Sequence, residues 1–476
     1  MNEQLPFDAV LFTPWALITH EPMLDPLDRG MLGARRIVAA LTQWDLPVAV
    51  VVDPRDPAVA TIADDLALAG FDELPIVTDE GAMAHVERTL LVGGHHGEPI
   101  PPGGSPMRIV GAVTIVPWLA ERIGPFRACA MMVGPLDSLA ADGALRRHLN
   151  LTKPPGSLGR LEALGVQLSA ISGLVPPPLP HPACVAVFAA DHGVHAQGVS
   201  PWPQEVTTQM VANFLAGGAA INVLARQAGA RVVVVDVGVV GDLPASELLI
   251  DCKIARGTQD LALGPAMSRE QALQALDVGA AVALRLVDEG ARCLLTGDMG
   301  IANTTASSAL IVAITGRRAG DITGRGAGLP ADQVPFKTTI VADAATRARH
   351  RWGDEALGIL AEIGGLEHAA LAGFIVGGVA LGVPVIVDGV IAAAALLVAA
   401  KLVPGVEAAA IAGHRSVEPG SDAVLQDLEM APVVDLDLRL GEGTGAAVAL
   451  PIVEAAARLL AEMATFDQAG VSSKTD

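Results

Sequence analysis

The chain has 476 residues, with 31 Lys and Arg against 52 Asp and Glu, and a formal net charge of −21. This length exceeds that of one ordinary domain. The 51% of apolar residues is typical of a chain with large buried cores and excludes a disordered one. Because phosphate backbones are bound by Lys and Arg, so negative a charge argues against nucleic acid as a partner. Small anions can still bind in local basic or amide-lined pockets.

The spacing of the cysteines and the first residues of the chain indicate the cellular compartment of the protein. The cysteines lie 41 or more positions apart, with no CxxC pair and no histidine spacing typical of zinc. We therefore expect reduced, buried thiols in a cytoplasmic protein and no metal site. The opening MNEQLPFDAV is acidic and lacks a basic segment followed by an apolar core, so nothing in it suggests export.

One apolar stretch could be taken for a membrane span. Residues 369–387 are uncharged, and the run continues after Asp388 to Ala400. Gly and Pro interrupt it, however, and its flanks lack basic clusters and aromatic belts. GVPVIVDGV is typical of a short buried strand, and IAAAALLVAAKL of the helix that follows it in a doubly covered parallel sheet. We therefore expect no membrane partner, and a membrane-embedded carrier is kept as a remote alternative.

The sequence pattern of the chain changes near residue 135. Before it, strand-like runs alternate with helical ones: AVLF, GMLGARRIVAALTQW, PVAVVV, ATIADDLALAG and LPIV. This alternation predicts a parallel α/β domain over residues 1–135. Residues 136–476 contain buried strands that each lead into a polar loop, as in CVAVFAADHG, ARVVVVDVGV, ARCLLTGDMG and VPVIVDG. Ligands of open α/β sheets bind at the carboxyl ends of strands, so these loops are the candidates for function.

Two of the loops precede helices. LTKPPGSLGRLE (residues 151–162) fixes a rigid turn before an amphipathic helix, and a stiff connector is the alternative interpretation. TGDMGIANTTAS (residues 296–307) brings an acid, small residues and hydroxyls to the start of a helix. Backbone N–H groups there bind anions, which makes phosphate a candidate ligand. An ordinary capped helix start is the competing interpretation.

Glycine marks the other loops. TGRGAGLPADQVPFK (residues 323–337) contains Arg325 and Lys337 but is neither a GxxxxGK[ST] nor a GxGxxG motif, so its glycines alone are weak evidence for a nucleotide. AGHRSVEPGSD (residues 412–422) and DLDLRLGEGTGAA (residues 435–447) form a further pair. Glu442 stands between glycines that let a substrate approach closely, as a general base requires. An exposed glutamate without a role is the alternative.

An apolar slot is predicted within AADHGVHAQGVSPWPQEVTTQMVANF (residues 189–214). Its candidate members are the apolar Trp202, Pro203, Val206 and Met210 and the polar Gln204 and Gln209. Few polar groups in an apolar wall are typical of a small-molecule site, although Trp and Met at helical spacing are more often core residues. Asp191 and His192 could suggest a metal, but the sequence offers no evident third ligand.

Seven motifs in order resemble one family from about Leu136 to near the C-terminus. They are KPPGSLGRLE, ADHGV, GVSPWPQEVTTQMV, GDMGIANTT, GRGAGL, GHRSVEPG and DLRLGEGTGAA, and the family is the nicotinate-nucleotide:dimethylbenzimidazole phosphoribosyltransferases. The resemblance implies transfer of phosphoribosyl from nicotinate mononucleotide to 5,6-dimethylbenzimidazole, giving α-ribazole 5'-phosphate for the lower ligand of cobalamin. It also implies a cytoplasmic homodimer without cofactor or metal. The implied fold is α/β: a Rossmann-like parallel sheet with helices on both faces and a small helical subdomain built from the two ends of the family region.

The resemblance also assigns roles to residues. It implies that Glu442 is the general base. The implied contacts to the nucleotide phosphate and ribose are Asp298, Gly300, Gly326, Lys337 and Ser416. The implied pocket for the aromatic base contains Trp202, Pro203, Gln209 and Met210.

Four positions depart from the family pattern. Asp298 stands where Glu is usual, Ala302 where Gly is usual, Ser421 where His is common and Trp202 where Tyr is usual. Because these changes can reshape the pocket, the same donor with a different aromatic base is an alternative. A non-catalytic sensor of nucleotide or base, with the N-terminal domain as its output, is another.

The N-terminal region weakly resembles a haloacid-dehalogenase-type phosphatase. FDAVLFTPWALITHEP matches the first motif loosely, but Thr13 and Trp15 replace its two aspartates. Neither can supply a carboxylate nucleophile, so we expect this domain to be degenerate and to serve as a scaffold or a docking unit. We expect His95 and His96 to be solvated loop residues.

Overall fold

The structure is a computed structural model that describes residues 9–12, 34–44, 48–52, 66–67, 71, 74–78, 89–93, 107–110 and 115–472. The chain divides into two compact units. One comprises Met1–Pro178, Ala380–Gly382 and Leu459–Asp476, and the other comprises Leu179–Val379 and Val383–Arg458. The domain boundary expected near residue 135 lies within the first unit and stays a prediction.

The first unit contains a five-stranded sheet in the order β3-β2-β1-β4-β5, with parallel pairing throughout. Its strands and first helix are β1 (Ala9–Phe12), α1 (Ala34–Gln43), β2 (Val48–Val52), β3 (Ile76–Thr78), β4 (Thr89–Gly93) and β5 (Met107–Val110). Val10, Phe12 and Val50 are fully buried in it. The sheet confirms the parallel α/β prediction. The predictions for Thr13, Trp15, His95 and His96 fall outside the described residues.

The rest of the first unit is helical. Its helices are α2 (Ile115–Ile123), α3 (Pro125–Met131), α4 (Ser138–Asn150), α5 (Arg160–Ser172) and, near the C-terminus, α17 (Phe466–Ala469). Ala144, Leu151 and Leu460 form a shared buried cluster. The N–H of Thr152 donates to the carbonyl of Ala464 at 3.1 Å. The two ends of the region from Leu136 onward therefore build one helical subdomain, as predicted.

The KPPGSLG loop is closed by a single carboxylate. Glu162 accepts hydrogen bonds from the N–H groups of Leu158 at 3.0 Å and Gly156 at 3.3 Å. The ammonium of Lys153 lies 2.8 Å from the same side chain. Because these donors are satisfied within the loop, the geometry fits the stiff connector that the sequence left open.

The second unit contains a six-stranded parallel sheet in the order β11-β10-β9-β6-β7-β8. Its strands are β6 (Ala183–Ala190), β7 (Ala230–Gly238), β8 (Leu249–Asp251), β9 (Cys293–Met299), β10 (Val385–Val387) and β11 (Ala410–Ala412). Strand β6 is buried along its whole length, because apolar residues face helices on both sides of the sheet. The chain moves outward from β6 in one direction and then the other, which creates a topological switch point between β6 and β9.

The helices of the second unit follow the strands. They are α6 (Val206–Leu215), α7 (Ala220–Ala228), α8 (Arg269–Asp288), α9 (Asn303–Thr315), α10 (Ala319–Ile322), α11 (Val334–Trp352), α12 (Ala356–Ile363), α13 (Leu366–Ala380), α14 (Val390–Leu402), α15 (Pro419–Asp427) and α16 (Thr444–Glu462). The last residue of α13 and the residues of α16 from Leu459 onward belong to the first unit. Short 3₁₀ turns cover Gly193–Gln197, Ala331–Gln333 and Val406–Ala409. Together with the sheet, these helices form the Rossmann-like layer arrangement that the sequence predicts.

The long apolar stretch is divided among three of these elements. Helix α13, strand β10 and helix α14 follow one another across it, and none approaches the roughly 20 residues of a membrane-spanning helix. Two other described stretches, Val206–Ala228 and Thr444–Glu462, meet the length and hydropathy of a span. The first is divided between α6 and α7, and 56% of the apolar window of the second is buried within the protein.

Helices α8 and α13 pack backbone against backbone. A Cβ atom at Gly279 would lie 1.8 Å from the carbonyl oxygen of Ala370, and one at Gly373 would lie 2.0 Å from that of Leu276. Since backbone cannot give way as a flexible side chain can, glycine is required at both positions for this approach.

We expect Gly279→Ala to lower the free energy of unfolding by about 2 kcal/mol, because the added methyl forces the two helices apart. The destabilisation from this clash outweighs the stabilisation of about 1 kcal/mol that the better helix propensity of alanine provides. Chemical denaturation followed by circular dichroism measures the difference. Gly320→Ala is the matched control, because Gly320 is also helical and has open space around its Cβ position. Equal effects of the two substitutions would contradict the packing argument.

Candidate active site

A cavity of about 470 Å³ opens at the carboxyl edge of the second sheet. Loops that follow β6, β9, β10 and β11 contribute to its lining. The predicted site residues that line it are Trp202, Met210, Asp298, Gly300, Gly326, Ser416 and Glu442. Segments up to about 240 positions apart in the chain therefore meet at one cavity near the switch point of the sheet.

Glu442 is held in a left-handed turn directly before helix α16. Its φ is 64°, and its glycine neighbours Gly441 and Gly443 have φ values of 82° and 95°. A Cβ atom at Gly443 would lie 2.8 Å from a methyl of Val185, so the turn packs tightly against the sheet. The left-handed conformation is unfavourable for a residue with a side chain, and such strain is characteristic of functional sites.

The Glu442 carboxyl is 5% exposed and accepts one hydrogen bond, from the N–H of Ile221 at 3.3 Å. Burial raises the pKa of Glu442 above its ordinary value, the Ile221 N–H opposes this, and the negative charge of Asp388 adds to it. A carboxylate with a raised pKa is a stronger proton acceptor than one in water. Glu442 is therefore a buried carboxyl with a raised pKa that lines a cavity.

Asp298 brings a second carboxyl to the cavity from the end of β9. Asn303 donates its side-chain N–H to one oxygen at 2.9 Å, and the other oxygen, Oδ1, has no hydrogen-bond partner among the described residues. Burial raises the pKa of Asp298 well above its ordinary value, and the charges of Asp388 and Glu367 raise it further. These effects favour the protonated carboxyl, which can donate a hydrogen bond to a ligand.

Lys337 lies behind the cavity wall rather than in it. Its side chain is fully buried in helix α11, and Nζ donates to the hydroxyl of Thr304 at 2.8 Å. Thr304 lines the cavity, and a hydroxyl that accepts from an ammonium keeps its own proton for another partner. Burial lowers the pKa of Lys337 to about 8, with the charge of Glu418 opposing the change. The positive charge of Lys337 therefore acts on the cavity through its hydrogen bond to Thr304.

The glycine-rich loop is tied to the loop after β11. The N–H of Gly326 donates to the carboxylate of Glu418 at 2.9 Å. A Cβ atom at Gly326 would lie 2.5 Å from the hydroxyl of Thr304, so only glycine fits there. Ser416 is 4% exposed, and its hydroxyl accepts from the N–H of Glu418 at 3.4 Å.

The apolar wall contains part of the predicted slot. Met210 and Val206 line the cavity one helical turn apart on α6. Trp202 is half exposed, and its indole N–H donates at 2.8 Å to the carbonyl of Ala327, which also lines the cavity. Pro203 and Gln209 are exposed and do not belong to the lining. Contact of these two with an aromatic base stays a prediction.

Sequence reasoning did not single out several polar residues of the site, among them Asn303, Thr304 and Glu418 of the cavity lining. His414 and Arg439 also line the cavity, and Asp388, directly after β10, accepts the N–H of Gly443 next to Glu442. Asp388 stands in GVPVIVDGV, a pattern that by itself predicts only a strand and a turn. An acid directly after a buried parallel strand is the signal that could have identified it.

One buried cluster has the donor atoms of a metal site. His192 and His368 contact the same oxygen of Glu367 at 2.7 and 2.8 Å. These are hydrogen-bond distances, whereas tetrahedral zinc ligands with bonds of about 2.0–2.1 Å lie about 3.3 Å apart. Burial alone would lower the pKa of His192, but the negative charge of Glu367 raises it. Asp191 does not join the cluster, since it accepts the N–H of Val240 at 2.8 Å.

Comparison with known proteins identifies the family of this chain. The family model described as phosphoribosyltransferase matches residues 133–471. A nicotinate-nucleotide–dimethylbenzimidazole phosphoribosyltransferase of Salinispora tropica is 52% identical over 356 residues, which cover 72% of this chain and 98% of the relative. A protein of the same name from Chloroflexus aurantiacus is 54% identical over 342 residues, which cover 72% and 97%.

A solved structure, CobT from Thermus thermophilus, is 47% identical and aligns with a TM-score of 0.68. The alignment covers 71% of this chain and 100% of that one. These findings confirm the resemblance predicted from the seven motifs. The chain therefore belongs to the nicotinate-nucleotide–dimethylbenzimidazole phosphoribosyltransferase family.

Proposed function

We propose that this chain transfers the phosphoribosyl group of nicotinate mononucleotide to 5,6-dimethylbenzimidazole, yielding α-ribazole 5'-phosphate and nicotinate for the lower ligand of cobalamin. One observation carries the proposal. The buried base Glu442 and the Lys337–Thr304 pair converge on one cavity of about 470 Å³, with an apolar wall between loops. The names of the relatives support the same reaction.

The donor phosphate is proposed to bind at the Thr304 end of the cavity. Thr304 belongs to the first turn of α9, where the helix dipole favours an anion. Lys337 adds a positive charge behind the hydroxyl, and Ser416 adds a second hydroxyl from the loop after β11. We assign Gly300 and Gly326 to close backbone approach, because a side chain at Gly326 would collide with Thr304.

The aromatic base is proposed to bind between Glu442 and the wall of Trp202, Val206 and Met210. One ring nitrogen of benzimidazole attacks C1' of the ribose as the bond from C1' to the nicotinate nitrogen breaks. The electron pair of the breaking bond goes to the nicotinate nitrogen, which thereby loses its positive charge. The leaving group therefore needs no general acid. The proton on the other benzimidazole nitrogen becomes acidic and passes to the Glu442 carboxylate. Alignment of base and sugar supplies further acceleration.

Asp298 is proposed to donate a hydrogen bond to the ribose or phosphate in its protonated form. A charged carboxylate would repel phosphate, whereas the buried and neutral acid has an oxygen, Oδ1, without a partner among the described residues. The shorter side chain relative to the usual Glu leaves room for this contact inside the cavity.

A different aromatic base is the second candidate, favoured by Trp202, which stands where the family pattern has Tyr and which is hydrogen-bonded to Ala327 in the cavity lining. Purified protein with nicotinate mononucleotide and a panel of benzimidazoles, purines and phenols decides between the two. Consumption of another ring in preference to dimethylbenzimidazole supports the second candidate.

We also propose that the protein is a cytoplasmic homodimer, as the family resemblance implies. Sedimentation equilibrium would then give twice the chain mass of 48.6 kDa. A single-chain mass at micromolar concentration would contradict the dimer.

We expect Glu442→Gln to lower kcat by about 10²–10⁴-fold, because the amide cannot accept the ring proton. Binding of nicotinate mononucleotide, measured by calorimetry, should change little, since its phosphate is proposed to lie at the other end of the cavity. Nicotinate release measured by chromatography gives the rate.

Glu247→Gln is the matched control, because Glu247 is exposed and does not line the cavity. Full turnover by Glu442→Gln would contradict the base role, and a wild-type protein that binds both ligands without turnover would favour a sensor.

The two buried ionisable groups predict a bell-shaped dependence of kcat/KM on pH. Activity should fall as pH decreases through the raised pKa of Glu442, because the protonated carboxyl cannot accept a proton. It should also fall above about pH 8, because Lys337 with a pKa of about 8 loses its charge and holds the phosphate less tightly. Initial rates at subsaturating donor measure both limbs.

Lys337→Met tests the assignment of the basic limb. This variant should be less active at neutral pH, and its rate should no longer fall near pH 8. Persistence of the same limb in Lys337→Met would assign it to another group.

A further inference from the structure

Asp388 caps the helix that follows the catalytic turn, although it comes from a different part of the chain. It stands between strand β10 and helix α14, and it is 3% exposed. One carboxylate oxygen accepts the N–H of Gly443 at 3.2 Å, and the other accepts that of Ala446 at 3.0 Å. Both donors belong to the start of α16, where backbone N–H groups have no partner within the helix.

The two bonds fix the turn that carries Glu442. Gly443 follows Glu442 directly, and the left-handed φ of 64° at Glu442 requires support from its surroundings. Asp388 is itself anchored, since its N–H donates to the hydroxyl of Thr296 at 2.9 Å. A rigid chain of contacts thus runs from β9 through Asp388 to the residue beside Glu442.

Asp388 also brings a negative charge close to Glu442. Like charge nearby makes Glu442 bind a proton more readily, in the same direction as burial. The other charged or titratable groups that face the cavity around Glu442 are Asp298, His414, Glu418 and Arg439.

Asp388 differs from these four groups in its contacts with the turn that carries Glu442. The conditions at Asp298 favour its neutral form, and Glu418 is occupied with the N–H of Gly326. His414 Nε2 lies 3.7 Å from Asp388, beyond hydrogen-bond distance. Among the described residues, Asp388 is the one group of this set that accepts the N–H of Gly443, the residue next to Glu442.

We propose that Asp388 is a positioning residue for the reaction: it holds the Gly-Glu-Gly turn so that Glu442 faces the cavity, and its charge strengthens Glu442 as a proton acceptor. The inference rests on the proposed function, in which Glu442 takes the proton of the attacking base. Asp388 itself is not among the residues that line the cavity, and the role proposed for it acts through Glu442.

The test compares Asp388→Asn with wild-type full-length protein in the transfer of phosphoribosyl from nicotinate mononucleotide to dimethylbenzimidazole. Asparagine keeps the shape but removes the charge and one acceptor oxygen. We expect the acid limb of kcat/KM to move to lower pH by about one unit, and kcat above the limb to fall about tenfold. KM for the donor should be unchanged. Asp427→Asn, at an exposed aspartate that ends α15, is the matched control.

The outcomes separate failure of the inference from failure of the proposed function. An active wild type with the same acid limb in Asp388→Asn overturns the inference and leaves the function standing. An inactive wild type overturns the function. In that case, NMR titration of carboxyl-labelled glutamate, assigned by Glu442→Gln, still tests Asp388. A lower midpoint for Glu442 in Asp388→Asn supports the inference, and an unchanged one overturns it.

Thr296→Val tests the positioning role with the charge in place, and it also serves if Asp388→Asn does not fold. It removes the hydroxyl that accepts the Asp388 N–H. We expect kcat to fall several-fold while the acid limb stays where it is in wild type. Unchanged kcat in a folded Thr296→Val protein would overturn the positioning role.

Discussion

Removal of the Glu442 carboxyl from water is the interaction on which the site depends. A buried carboxyl binds a proton more readily than an exposed one, and this property makes it useful as a base. The turn that carries this carboxyl is strained, because Glu442 adopts a left-handed backbone conformation between two glycines. The surrounding fold sustains this arrangement by packing the turn against the sheet and by capping the next helix with Asp388.

The parallel sheet explains how distant segments meet. The carboxyl ends of its strands contribute two acids, Asp298 within β9 and Asp388 directly after β10, and the turn before α16 contributes Glu442. The anion site that we propose is compatible with a net charge of −21, because Lys337 is buried behind a hydroxyl rather than exposed to solvent. The local arrangement of charge, and not the total, decides which ligand binds.

Much of the fold could be predicted from the sequence. Strand β10 and helix α14 follow from β-branched and alanine-rich runs, even though their combined length resembles a membrane span. The loops can be located because a polar segment after a buried parallel strand must lie at the ligand-binding edge. The family motifs then indicate Glu442, Asp298, Gly300, Gly326, Ser416, Trp202 and Met210, all of which line the cavity.

The remaining features depend on tertiary contacts that no local pattern encodes. The resemblance implies that Lys337 touches the nucleotide, but helix α11 directs its ammonium to Thr304. Gln209 lies near Met210 in sequence, yet the rotation of α6 leaves it exposed. The role of Asp388 rests on bonds to residues more than 50 positions away, and these become visible only when β10 and α16 are seen together.

A crystal structure with dimethylbenzimidazole and nicotinate mononucleotide bound tests the central claim most directly. We expect one ring nitrogen of the base within about 3 Å of the Glu442 carboxylate, the distance at which a proton can be transferred. We also expect the phosphate of the donor to accept a hydrogen bond from the hydroxyl of Thr304. A ring bound away from Glu442, or a phosphate at the opposite end of the cavity, would contradict the proposed chemistry.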